Sequence, residues 1–182
     1  MKKFFLVLFL LTLYSNLYAS ENSNIIKNFK EIENLSFKFE QNINGKIENG
    51  QCVIEYPKKI YCNYDLKNKK VLVSNGRSLV IKTLNSYYIY PIEKTPLNLI
   101  LNKEFLLDKI KDLNKKFIKK KFINYKITHN ENEINLFFDK KTYDLIGWQT
   151  LDIYQNSSTT FLSSIKKNQK IEKNLFRLPS QN

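Results

Sequence analysis

The spacing of apolar positions changes character along the chain. Ile25, Ile26, Phe29, Ile32 and Leu35 recur at the interval of one helix face, with Asn, Lys and Glu between them, and predict a single amphipathic helix. From Ser36 the period falls to two: Phe37, Phe39, Gln41 and Ile43 alternate with Lys38, Glu40 and Asn42, and Asn44-Gly45 follows as a hairpin turn. Further strands are expected from Lys46 to Tyr56, Lys59 to Asp65, Lys70 to Asn75, Ser78 to Thr83 and Tyr87 to Tyr90, with Asn75-Gly76 as one of the turns. The run of strands breaks at Thr95-Pro96. A threonine cap and a proline at the first helical position there open the apolar run Leu97, Leu99, Ile100 and Leu101. A second short helix is expected from Phe105 to Leu113, and strands then resume at Phe122 to Thr128, Glu133 to Phe138, Ile146 to Tyr154 and Thr159 to Lys166. The predicted class is α+β, a long antiparallel sheet with a few amphipathic helices on one face.

Within this pattern, Cys52, Ile54 and Tyr56 share one face of a strand, and Ile60, Cys62 and Tyr64 share one face of the next. If Cys52 lies opposite Cys62, residues 56 to 58 form the loop and both triplets fall on the same, almost wholly apolar side. No linker, repeat or low-complexity run divides the 182 residues, and 42% hydrophobic content suffices for one core, so a single domain over 20–182 is expected. The first nineteen residues read as an export leader: Lys2 and Lys3, the uncharged apolar run from Phe4 to Leu13, then Leu17-Tyr18-Ala19 before cleavage at Ser20. That apolar run is shorter than the ~20 residues that span a bilayer, which argues against an uncleaved anchor. No cysteine stands at the boundary to accept a lipid. In an oxidising compartment Cys52 and Cys62 are expected to form a disulfide, the alternative being two buried thiols side by side.

The formal net charge of +13 calls for an anionic neighbour. Outside the cytoplasm nucleic acid is excluded and an anionic phospholipid surface fits; the plainer reading is lysine as a solubilising residue. The cluster KKFIKKK, Lys115 to Lys121, reads as a strand edge guarded by lysines. No Gly-rich phosphate loop, metal-ligand cluster or nucleophile-base pairing is present, and the single His129 falls in a polar turn far from the cysteines. Asp139, Asp144 and Asp152 fall in turns or on polar faces. These features argue for a binding protein with no catalytic residues, metal or cofactor.

The order of motifs resembles the periplasmic outer-membrane lipoprotein carrier family, LolA. The matching segments are SFKFEQ (Ser36 to Gln41), GQCVIEYPKKIYCNY (Gly50 to Tyr64), VLVSNGRSLV (Val71 to Val80), TPLNLIL (Thr95 to Leu101) and the terminal LFRLP. The resemblance implies a strongly curved antiparallel half-barrel whose concave apolar face is covered by helices. It also implies a soluble, monomeric periplasmic chaperone. Its cargo would be acylated lipoproteins, received from an inner-membrane ABC complex and passed to a LolB-like outer-membrane acceptor or to the membrane itself. By similarity, Ile54, Ile60, Cys62 and Tyr64 line the cavity, Phe29 contributes from the N-terminal helix, and Leu97, Leu99, Ile100 and Leu101 form the lid.

One departure bears on lid control. Many family members carry an arginine before the hairpin proline that hydrogen-bonds the lid; here Tyr56 precedes Pro57. A tyrosine hydroxyl has one donor against the guanidinium's five and carries no charge, so a bond from Tyr56 to a lid carbonyl would be a weaker substitute. The competing functional reading is a periplasmic sensor or structural protein that uses the same half-barrel to read lipid or polypeptide without transport.

Overall fold

The computed structural model describes residues 22–113, 117–118, 122–130, 132–151 and 156–181. The leader, Asp152 and the lysines of the 115–121 cluster lie outside the described residues. Helix α1 occupies 22–30. It is followed by β1 (Asn34–Ile43), β2 (Lys46–Glu55), β3 (Lys59–Tyr64), β4 (Val71–Asn75), β5 (Ser78–Lys82) and β6 (Tyr87–Pro91). A 3-10 turn (Ile92–Lys94) leads into α2 (Leu97–Ile100) and α3 (Lys103–Asp112), after which come β7 (Phe117–Ile118), β8 (Phe122–His129), β9 (Asn132–Asp139), β10 (Leu145–Leu151) and β11 (Ser157–Lys167).

All strands belong to one antiparallel sheet in the order β6-β5-β4-β3-β2-β1-β11-β10-β9-β8-β7. It is two meanders joined where β1 pairs with β11, and β6 and β7 are its edges, so the sheet is not closed into a barrel. The turns follow their chemistry. Asn44 and Gly45 both have positive φ, 50° and 89°, as a two-residue hairpin matched to strand twist requires. Asn75 accepts hydrogen bonds through Oδ1 from the amides of Arg77 and Ser78, which fixes the β4–β5 turn.

Two of the few glycines sit inside strands, where close approach demands them. A Cβ on Gly50 would lie 2.2 Å from the Asn63 carbonyl and 2.8 Å from the Phe39 ring, which packs across it. At Gly147 it would lie 2.5 Å from the Thr160 carbonyl, beneath the stacked rings of Phe137 and Phe161 at 5.5 Å. Bare backbone at these points lets neighbouring strands coil tightly.

One apolar cluster contains the inward side chains of the sheet, among them Phe37, Phe39, Ile54, Ile60, Tyr125, Leu136, Phe138 and Trp148. Ile25 and Phe29 of α1, Leu99 to Leu101, and Leu106 and Ile110 of α3 belong to the same cluster. Fully burying each such side chain is worth about 1.5–3 kcal/mol, which makes this cluster the chief source of stability. Phe29 lies edge-on to Tyr56 at 5.7 Å and to Phe138 at 6.1 Å, bridging the β2–β3 hairpin to β9. Polar ties hold α1 in place. Tyr125 Oη donates to Asn22 Oδ1 at 2.6 Å, Asn28 Nδ2 donates to Asp144 Oδ1 at 2.8 Å, and Lys167 pairs with Asp144. After β11 the chain runs back over the outer face, where Lys59 lies over the Phe176 ring and Lys82 Nζ donates to the Ser180 carbonyl at 2.7 Å.

Three expectations are corrected. The N-terminal helix stops at residue 30, so Ile32 lies beyond it and Leu35 is in β1; apolar residues on both sides of the boundary extended the helical spacing by coincidence. Thr95 does not cap α2: its hydroxyl donates back to the Ile92 carbonyl at 2.8 Å, which completes the 3-10 turn. His129 is the last residue of β8, against the Phe105 ring at 5.0 Å, and not in a turn.

Candidate functional site

Between the inner face of the sheet and α2 lies a cavity of about 270 Å³. Its walls include Leu79 and Ile81 from β5 and Trp148 and Thr150 from β10. Those strands are separated by six pairings in the sheet order. In a flat sheet, at roughly 4.8 Å per pairing, they would stand about 29 Å apart. The sheet is therefore strongly curved, and the cavity lies on its concave side.

The β2–β3 hairpin supplies one wall. Its register pairs Cys52 with Cys62, Ile54 with Ile60 and Glu55 with Lys59, which leaves 56–58 as the loop. Cys52 and Cys62 are joined by a disulfide with Cα atoms 4.1 Å apart. Because the pair closes a loop of only ten residues' separation, its stabilisation is at or below roughly 3 kcal/mol on the chain-entropy model.

Of the residues singled out in the sequence, Cys52, Ile60, Cys62, Tyr64 and Leu97 line the cavity together. Phe29, Ile54, Leu99, Ile100 and Leu101 are buried in the cluster around it, and Tyr56 packs against that cluster. Leu72, Leu79, Ile81 and Trp148 also line the wall; the sequence pattern placed all four in strands, but nothing in it marked them as wall residues. It also did not foresee that Gln41, Thr150, Ser158 and Thr160 share this cavity. Gln41 shares a face with Phe37, Phe39 and Ile43 in the sequence pattern, whereas Thr150, Ser158 and Thr160 read as outward facing until the β1–β11 pairing, which joins the two ends of the chain, is known.

The contact between hairpin and helix differs from the one anticipated. The Tyr56 hydroxyl is buried with no hydrogen-bond partner among the described residues, and burial pushes its phenol pKa up. The bond to the helix comes instead from the backbone: the Lys58 amide donates to the Leu101 carbonyl at 2.9 Å. Lys103, at the start of α3, donates through Nζ to the carbonyls of Ile32 at 2.8 Å and Lys30 at 3.1 Å, and so ties α3 to the end of α1. Asn102 caps α3 by accepting from the Phe105 amide at 3.2 Å.

At the far end of the hairpin, Glu48 is buried on β2 and bonded to Lys46 at 2.8 Å and Lys70 at 2.5 Å. Burial alone would raise its pKa, but the two lysines outweigh it and hold the carboxyl below its ordinary value of 4.5. Among the described residues no group of His, Cys, Asp or Glu is placed to hold a metal ion, and no helix is long and apolar enough to cross a membrane.

Known structures are similar to this chain at low sequence identity. A LolA superfamily protein from Nitrosomonas europaea is 8% identical with a TM-score of 0.45, over 86% of this chain and 97% of that one. A conserved protein from Thermus thermophilus is 10% identical with a TM-score of 0.50, over 90% and 96%. A chain of the Pseudomonas aeruginosa MucA/MucB complex is 7% identical with a TM-score of 0.51; the match covers 88% of this chain but 60% of that one. No curated protein matches in sequence. The model of the family described as outer membrane lipoprotein carrier protein LolA matches residues 30–179, from the end of α1 to the last proline, and the chain belongs to that family.

Proposed function

We propose that the protein is a periplasmic carrier that takes the acyl chains of lipoproteins leaving the inner membrane and delivers them to the outer membrane. The observation that carries this reading is the apolar cavity left between the curved sheet and α2 in a chain of this family. In this reading residues 1–19 are the export leader and 20–182 the carrier domain. The concave face, with Ile60, Cys62, Tyr64 and Leu97 at its surface, meets the acyl chains, and α2 with its neighbours forms a lid.

The energetics favour incomplete enclosure. Each buried methylene is worth about 0.8 kcal/mol, so a fully enclosed long chain would be held by roughly ten kcal/mol or more, too tightly to pass on. A volume of 270 Å³ lies below the ~300 Å³ at which ligand pockets ordinarily begin. Cargo must therefore displace the lid, and the loss of lid contacts offsets part of the acyl affinity. Leu99, Ile100 and Leu101, buried in the closed state, are the residues whose exposure sets that offset. An inner-membrane ABC complex as donor, and a LolB-like acceptor or the membrane as recipient, complete the cycle.

The test is to incubate the mature protein with inner-membrane vesicles under conditions that release lipoprotein. A carrier yields lipoprotein in the supernatant as a soluble one-to-one complex. A protein that only senses lipid would leave the lipoprotein sedimenting with the vesicles.

A further inference from the structure

The cavity is not uniformly apolar. Ile60, Cys62, Leu72 and Leu79 form one wall, while Gln41 of β1, Thr150 of β10 and Ser158 and Thr160 of β11 form a strip on the other. These positions are neighbours on three adjacent strands: Gln41 pairs with Thr160, and Ser158 with Thr150. Gln41 Nε2 lies 3.0 Å from Ser158 Oγ and 3.3 Å from Thr160 Oγ1, and Tyr64 Oη lies 3.4 Å from Gln41 Oε1. The Thr150 hydroxyl has no partner among the described residues.

The supply of donors here exceeds the internal demand. Gln41 carries two amide hydrogens, and Tyr64, Thr150, Ser158 and Thr160 carry one each. The three contacts within the strip consume only half of them, whichever way the amide is oriented. Among the described residues no other hydrogen bond takes up the remaining donors. Once an acyl ligand excludes water from this half-open, mostly apolar site, donors left unpaired would cost free energy that an acceptor on the ligand recovers.

The charge of the lining narrows the ligand. Among the described residues no Lys, Arg, Asp or Glu lines the cavity, so a carboxylate or phosphate would meet no counter-ion from them, at high desolvation cost. A neutral carbonyl oxygen meets the donors without that penalty. We propose that the strip of Gln41, Thr150, Ser158 and Thr160 is a recognition site for the ester or amide carbonyls at the head of an acyl ligand, with the hydrocarbon directed toward Ile60, Cys62, Leu72 and Leu79. This rests on the acyl-carrier reading and gives it a substrate class, ester- or amide-linked acyl groups in preference to free fatty acids, and a cargo orientation. The linkage leaves near the turn at Asn44-Gly45, whose Asn44 amide donates to the Ser157 carbonyl, and the polypeptide of a lipoprotein would emerge there.

The experiment compares dioctanoylglycerol with its diether analogue, which lacks both carbonyls, by displacement of a hydrophobic dye from the mature protein. The wild type is expected to bind the diester about tenfold more tightly. Thr150→Val with Thr160→Val, β-branched replacements suited to strands, should abolish that preference and leave diether binding within about twofold of wild type. Equal binding of the two lipids by the wild type would overturn the carbonyl site while leaving the carrier intact. A preference that survives the double substitution would also overturn it, and binding of neither lipid would overturn both readings.

Discussion

At Tyr56 the reading of the sequence and the geometry part. By resemblance Tyr56 is expected to stand in for an arginine that bonds the lid, yet among the described residues its hydroxyl has no partner, and the Lys58 amide makes the bond to Leu101 instead. Tyr56→Phe should therefore be neutral or stabilising by up to about 1 kcal/mol in thermal melts, since it removes a buried hydroxyl that bonds to nothing. The backbone donor next to Tyr56 was not legible in the sequence, because any non-proline residue supplies one. Glu48 gives the second prediction at this scale. Its carboxyl binds a proton more weakly in the folded protein than in the unfolded chain. Its contribution is complete above the unfolded carboxylate pKa and is lost as pH falls through the lower folded value. Glu48→Gln should cost about 1.5–3 kcal/mol at neutral pH and flatten the acid limb of a stability-against-pH curve measured by urea unfolding. An unchanged acid limb would remove Glu48 from the account of acid stability.

Among the elements, strands were readable because inward side chains alternate with lysines and asparagines, and the β2–β3 register followed from the two cysteines. The end of α1 was not, since Ile32 and Leu35 suit a helix face as well as a turn and a strand that pack on the same core. Glycine within a strand carries its own test. Gly50→Ala would press a methyl group against the Asn63 carbonyl and the Phe39 ring and should cost about 1–3 kcal/mol, read as a lowered urea midpoint with the slope unchanged. Removing the disulfide by Cys52→Ser with Cys62→Ser should cost up to roughly 3 kcal/mol, and intact mass with and without reductant gives its state directly. For the lid, Lys103→Met deletes the bonds to Ile32 and Lys30, while Leu101→Glu places a carboxylate where the leucine is fully buried. Both should raise binding of a hydrophobic dye to the free protein, with Leu101→Glu the stronger. If neither does, α2 and α3 are fixed parts of the core and not a lid.

Taken whole, the molecule is an open curved sheet whose apolar surface is more than its helices fill. Which residues face inward was legible in the sequence, but a filled core and a cavity present the same pattern of apolar positions. The difference lies in how far the sheet bends, which depends on tight approaches such as those over Gly50 and Gly147 and on the joining of β1 to β11. The central claim is that acyl chains occupy the concave side. Ile81 lines the cavity and is half-buried, while Tyr61 lies on the opposite face of the sheet and is also half-buried. The most direct measurement places a photoreactive phenylalanine analogue at each position in turn and irradiates the protein with a triacylated lipopeptide, followed by mass analysis of the adduct. Acyl chains held on the concave side give adducts at position 81 and none at 61; equal labelling of the two, or labelling at 61 alone, would show that they lie elsewhere.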